Sequence, residues 1–179
     1  MEYRLIGKTG LKVSSLALGT DNFADPTPEK EASMILEASI DAGINLVDTG
    51  DVYADGEGEK IIGRTLKKSK KRDSVLIATK VDHGKRRPGF SIDDPSLSGP
   101  NDHGHSRLNI IRACEDSLKR LQTDYVDIYQ LHRPSPEIHF DEYRPFIHHF
   151  PLCFVEPNPG KAEQTTLGWY GLGASSQTG

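Results

Sequence analysis

An α/β fold built on parallel strands is predicted by three observations. Short apolar, β-branched runs alternate with segments of helical periodicity along most of the chain. Each run stops at polar residues in turn chemistry. The connections between runs are long enough for right-handed crossovers. The order reads strand, helix, strand, helix, strand, long loop, helix, strand, which suits either an open doubly wound sheet or a β/α barrel.

The elements follow in order. From Tyr3 the chain reads as a short strand, a Gly7-Lys8-Thr9-Gly10 turn and a second strand, a hairpin leading into a buried strand at Ser15 to Leu18 that Gly19-Thr20 breaks. Thr27 offers a capping hydroxyl and Pro28 a first helical position; Ala32, Ile35, Leu36 and Ile40 recur at helical spacing until Gly43 closes the segment. The next run, inside Ile44 to Ala54 (INLVDTGDVYA), breaks off at Asp48-Thr49-Gly50-Asp51, with Tyr53 just beyond. A helix from about Glu57 to Ser69 buries Ile61, Ile62 and Leu66, and its late lysines suit the negative end of the dipole. Ser74 to Thr79 is a strand ending at Lys80. The Gly, Pro and Asp-rich stretch from Val81 to His105 has the length of a lid, a binding loop or a disordered segment. Ser106 caps a third helix with Ile111, Cys114, Leu118 and Leu121 on one face, and Tyr125 to Leu131 is a strand ending at His132.

Composition narrows the function classes. The 179 residues suit one domain, yet a mean hydropathy of -0.53 is low for a compact enzyme, so a partly surface-like or incomplete chain is expected. With 26 acidic against 22 basic residues and no basic stripe interleaved with aromatics, nucleic acid is not an expected partner. Cys114 and Cys153 form no CxxC pair, which favours a reducing compartment. No signal-like apolar segment or membrane-length run is present, so a soluble cytoplasmic protein is expected. Gly-Glu-Gly near Gly56 lacks the spacing of a dinucleotide fingerprint. Asp102, His103 and His105 lack a fourth ligand at useful spacing, and His148-His149 is weaker still, so no metal is expected. Cys114 reads as core packing, and the charged run Lys67 to Asp73 as a solvated helix end.

In a parallel α/β architecture chemistry collects where strands end, and Asp48, Lys80 and His132 hold such places, with Tyr53 in the loop above. The free phenol titrates near pH 10, so it needs help to act as an acid near neutrality. An ammonium beside a phenol favours the phenolate, and a carboxylate beside the ammonium holds it charged and oriented. A histidine at the same mouth can donate a hydrogen bond to a substrate oxygen. Such donors suit carbonyl reduction, but none of them supplies hydride, so a cofactor is required.

The segments YRLIGKTGLKVSSLALGT, AGINLVDTGDVYADGEGEKIIG, VLIATK and RACEDSLKRLQTDYVDIYQLHRP, in that order, resemble the first half of an aldo-keto reductase. The resemblance implies a (β/α)8 barrel of the TIM type, preceded by the hairpin. It implies a catalytic tetrad of Asp48, Tyr53, Lys80 and His132, with Thr20 and Asp48 on the cofactor side. It also implies hydride transfer from NADPH to a small aldehyde or ketone while the tyrosine donates the proton.

Two local departures concern the site: Gly50 stands where the family usually has alanine, and Ala54 where glycine is usual. The second would strain the loop carrying Tyr53 if that position needs a positive φ. A larger departure concerns length. The family's barrel takes roughly 300 residues, within the range of the fold, whereas the resemblance here covers residues 1–142 and leaves 143–179 as a divergent, proline-bearing and irregular tail. The fold is thus expected to stop after about four βα units, lacking the strands that contact the carboxamide and phosphates of the cofactor. An unclosed sheet edge then favours self-association. The alternative to a reductase is a non-catalytic chain or interaction module of the same family.

Overall fold

A computed structural model of the chain describes residues 1–7, 9–81, 101–102 and 104–133, with two short backbone segments at 155–156 and 168–169. The elements in chain order are β1 (Tyr3–Leu5), β2 (Lys12–Ser14), β3 (Leu18–Gly19), α1 (Glu29–Asp41), β4 (Leu46–Asp48), α2 (Glu57–Ser69), β5 (Leu76–Val81), α3 (Arg107–Leu121), β6 (Ile128–Leu131), β7 (Val155–Glu156) and β8 (Gly168–Trp169).

Strands β3, β4, β5 and β6 lie side by side in sequence order, all parallel, so the expected alternation becomes one four-stranded sheet. A doubly wound sheet reverses its strand order at a switch point and carries helices on both faces. Here the order never reverses, and right-handed crossovers then bring every helix to one face. The core shows this: Leu36 of α1, Ile62 and Leu66 of α2 and Ile110 and Leu121 of α3 pack with Val47, Ile77, Val81 and Tyr129 of the sheet. Burying each such aliphatic side chain contributes about 1.5–3 kcal/mol. These are consecutive units of a β/α barrel, unclosed among the described residues.

The other face belongs to the hairpin. Strands β1 and β2 pair antiparallel, Tyr3 opposite Ser14, and place Ile6 in a second apolar cluster with Ala78 and Ile128, flanked by Leu11, Val13 and Leu46. Asn45 fastens this floor to the sheet. Its Oδ1 accepts from the Ser14 amide at 2.7 Å and its Nδ2 donates to the Lys12 carbonyl at 3.0 Å. Parity along the strands then sets the site: Asp48, Lys80 and His132 fall on the same face as Ala78 and Ile128, above the apolar floor.

Several expectations are corrected. The stretch Ser15 to Leu18 is not a buried strand: β3 is a two-residue edge strand, residues 15–17 are exposed, and Leu16 is 61% exposed. Its apolar residues look like a core run, but no neighbour among the described residues covers that edge. Helix α1 starts one residue later than expected, with Pro28 as its extended N-cap and no side-chain cap bond, because Thr27 bridges Phe23 instead. Its buried side chains are Ala32 and Leu36, while Ile35 is exposed. Strand β5 runs through Lys80 to Val81 rather than ending at Thr79, and β6 starts at Ile128 rather than Tyr125.

Helix α3 is capped by Ser106, which accepts from the Asn109 amide at 3.3 Å, and its buried face is centred on Ile110, Cys114 and Leu121, with Ile111 and Leu118 partly buried beside it. The run Lys67 to Asp73 is not wholly solvated either. Arg72 donates to Asp127 Oδ2 at 2.9 Å and to the carbonyls of Val75 and Tyr125 at 3.0 Å, with its guanidinium 3.9 Å from the Tyr125 ring centroid. The expected loop between β5 and α3 lies mostly outside the described residues, as does most of the tail. Within that tail β7 and β8 pair antiparallel in a sheet of their own.

Candidate active site

Four polar side chains meet at the carboxyl end of the sheet. Lys80, near the end of β5, has an ammonium that donates to Asp48 Oδ2 at 2.7 Å, to the Thr49 carbonyl at 2.7 Å and to the Tyr53 hydroxyl at 3.2 Å. An ammonium has three donors, so this cation has one fixed orientation. Its side chain is only 14% exposed, while Asp48 keeps 38% of its side chain open. Lys80 thus turns toward the phenol and away from water, and Asp48 retains acceptor capacity at the surface of the site.

Tyr53 arrives on a short 3-10 turn, Tyr53–Gly56, separated from β4 by residues 49–52. Ala54 (φ 47°, ψ 43°) and Asp55 (φ 56°, ψ 40°) are both left-handed, before Gly56 at φ 84°. An L-residue with a β-carbon is disfavoured there by about 1–2 kcal/mol. The alanine found where glycine is usual therefore stands at a position that needs a positive φ. Ala54→Gly is expected to stabilise the fold by about 1 kcal/mol, seen as a higher urea midpoint at unchanged slope; an unchanged or lower midpoint would show that the turn carries no such strain. Gly50 raises no comparable difficulty, since a methyl built there would rest 3.5 Å from the Tyr53 ring, ordinary contact.

His132 continues the ladder past β6, its amide donating to the Val81 carbonyl at 2.9 Å, and its ring meets the Tyr53 ring edge-on at 5.6 Å between centroids and 77° between planes. Asp48, Tyr53, Lys80 and His132 are therefore brought together as the sequence led us to expect. Thr20 is adjacent but differently employed: it is fully buried, and both its amide and its hydroxyl donate to the Asp48 carbonyl at 3.0 Å. It secures the main chain under the carboxylate.

Two charged residues missed in the sequence, Glu59 and Arg120, lie behind the sheet. Glu59 of α2 is completely buried; its Oε1 accepts from the Thr79 hydroxyl at 2.5 Å and its Oε2 from Arg120 Nε at 2.6 Å. Arg120 also donates to Ser117 Oγ at 3.0 Å. A signal for Glu59 did exist. It stands at i, i+3, i+7 with Ile62 and Leu66, a charge on the apolar stripe of its helix.

Other reactive groups nearby are muted. Burial, with the Glu59 and Glu115 charges adding to it, pushes the Cys114 thiol up to about 12, so it packs rather than reacts. Burial likewise raises the Tyr129 phenol well above its ordinary value, and that hydroxyl donates to the Ile110 carbonyl at 3.2 Å. No group of three His, Cys, Asp or Glu among the described residues is arranged to hold a metal. Asp102 pairs with Arg112 at 3.5 Å, His105 is buried, and His103, His148 and His149 lie outside the described residues. No helix among the described residues is long and apolar enough to cross a membrane.

Comparison with known proteins bears on the family and the fold. The aldo/keto reductase family pattern matches residues 15–151. The chain is 42% identical over 148 residues to an uncharacterized oxidoreductase, YrpG, of Bacillus subtilis, covering 79% of this chain and 43% of that protein. It is 38% identical over 144 residues to a probable voltage-gated potassium channel subunit beta of Arabidopsis thaliana, covering 79% of this chain and 40% of that one. Among solved structures, the holo form of aldo-keto reductase AKR11C1 from Bacillus halodurans superposes with a TM-score of 0.68 at 34% identity, over 83% of this chain and 45% of that one. The chain thus spans less than half the length of these relatives.

Proposed function

The chain belongs to the aldo/keto reductase family, and from that premise we propose that it carries the proton-transfer machinery for NADPH-dependent reduction of an aldehyde or ketone to an alcohol. One observation supports this above all: the Lys80 ammonium sits 3.2 Å from the Tyr53 hydroxyl and 2.7 Å from the Asp48 carboxylate. In this reading Tyr53 gives its proton to the carbonyl oxygen as negative charge develops there, and the adjacent ammonium stabilises the phenolate left behind. Asp48 holds the Lys80 ammonium in place. His132, edge-on to the Tyr53 ring, donates a hydrogen bond to the same substrate oxygen and orients the carbonyl.

NADPH, when bound, supplies the hydride that no side chain of the site can furnish. The donor set fits such a group: a proton source faces an open side, and Asp48 keeps exposed acceptor capacity after pairing with Lys80. Asp48 and Thr20 would border the cofactor, Asp48 through its carboxylate and Thr20 by fixing the main chain beneath it. The substrate is a small carbonyl compound, and a reducing, cytoplasmic location suits the free, buried thiol of Cys114.

Titrating the purified 179-residue chain with NADPH, followed by nicotinamide fluorescence and by its single tryptophan, Trp169, tests the reading. Saturable binding is expected, followed by turnover of aldehydes from a panel. A folded chain that binds no NADPH would overturn it and favour the second reading, a non-catalytic interaction chain. That alternative is supported by the likeness to a probable voltage-gated potassium channel subunit beta.

Self-association belongs to the same proposal. Strands β3 and β6 are the two edges of the parallel sheet, and Leu16 beside the first is largely exposed. Such edges with apolar flanks recruit further strands. Sedimentation at increasing concentration is expected to show a dimer or larger species, and a strictly monomeric chain at high concentration would remove this part of the reading.

A further inference from the structure

The contact between Lys80 and Tyr53 spans two elements that reach it independently. Lys80 is carried by β5, in the middle of the sheet, whereas Tyr53 is carried by a turn whose next two residues are both left-handed without being glycine. A turn so strained does not by itself fix the phenol at 3.2 Å. Helix α2 starts at Glu57, directly after that turn, so anchoring α2 anchors Tyr53.

The anchor is Glu59. It lies in the first turn of α2 and accepts at 2.5 Å from the hydroxyl of Thr79, the residue next to Lys80 on β5. A closed circuit results: Tyr53 runs through its turn to Glu59, across a hydrogen bond to Thr79, along one peptide bond to Lys80, and through the ammonium back to the Tyr53 hydroxyl. Arg120 holds the other Glu59 oxygen at 2.6 Å, so the carboxylate cannot turn away from Thr79 without giving up its counter-ion. No member of this circuit behind the sheet touches the open side of the site.

We propose that Glu59 and Thr79 are positioning residues, closing the circuit that sets the Tyr53 phenol on Lys80 and beside His132. The consequence for turnover rests on the reductase reading above. The geometry does not, and it can be measured on the chain without cofactor or substrate.

The test compares Thr79→Val, which removes the hydroxyl at nearly constant shape, with Thr79→Ser, which retains it. The readout is the nuclear Overhauser cross-peak between the Tyr53 and His132 rings, whose edge-on contact at 5.6 Å brings ring protons within range. The cross-peak is assigned by its absence in Tyr53→Leu and His132→Gln chains. Thr79→Val is expected to lose it while melting cooperatively, and Thr79→Ser to keep it. A folded Thr79→Val chain with the cross-peak intact would overturn the proposal. A Thr79→Val chain that fails to fold, beside a folded Thr79→Ser chain, would overturn it equally, because the hydroxyl would then serve stability rather than placement. Failure of NADPH binding would bear on the reductase reading and leave this result unaffected.

Discussion

Tyr53→Phe is expected to lower the turnover of aldehydes by about 10²–10⁴-fold while NADPH binding stays unchanged, the usual share of a positioned general acid. The substitution is narrow in its physical effect. Phenylalanine keeps the ring that meets His132 edge-on and that Gly50 leaves room for, and it removes only the oxygen that Lys80 contacts at 3.2 Å. Stability should fall by no more than about 1.5–3 kcal/mol, the net value of one hydrogen bond to a charged group. Steady-state assays over a range of aldehyde concentrations, alongside the NADPH titration, make the check. A fall in kcat with an unchanged cofactor titration fits loss of a group acting in the transition state. Full activity in the variant would mean that another donor delivers the proton and that the cluster around Lys80 serves only to hold the strand ends together.

The residues most visible in the sequence were those whose place follows from chain topology alone. Asp48, Lys80 and His132 sit where apolar runs give out, and parallel strands bring such ends to one side whatever the packing in between. Helix α2 was legible to the residue because its apolar stripe and late lysines agree with each other. Where local pattern and tertiary setting diverge, the sequence misleads. Ser15 to Leu18 has the composition of a buried strand, but burial depends on a neighbour, and β3 lies at the sheet edge. Arg72 sits in a run of charges that looks solvated, yet its guanidinium joins Asp127, Val75 and Tyr125 across a long sequence separation that no local window reveals. Gly63 carries no local signal either. A methyl there would lie 2.5 Å from the Leu121 backbone, so the glycine permits the close approach of α2 to α3.

Arg120→Met is expected to destabilise the fold by about 3–5 kcal/mol, the cost of leaving a buried charge without its partner. Glu59 is fully buried, its Arg120 partner is 10% exposed, and the two join α2 to α3 through a 2.6 Å contact. Methionine retains the apolar stem that packs between the helices, so the loss reports on charge rather than volume. For a chain of this size the melting temperature should fall by about 2–4 °C per kcal/mol. One further result separates this account from simple loss of packing. The double substitution Glu59→Gln with Arg120→Met should recover most of the loss, since it removes both charges together and leaves an amide that still accepts from Thr79. If the double variant were as unstable as the sum of the two single ones, the pair would be acting through packing, and the buried charge would not be what joins these helices.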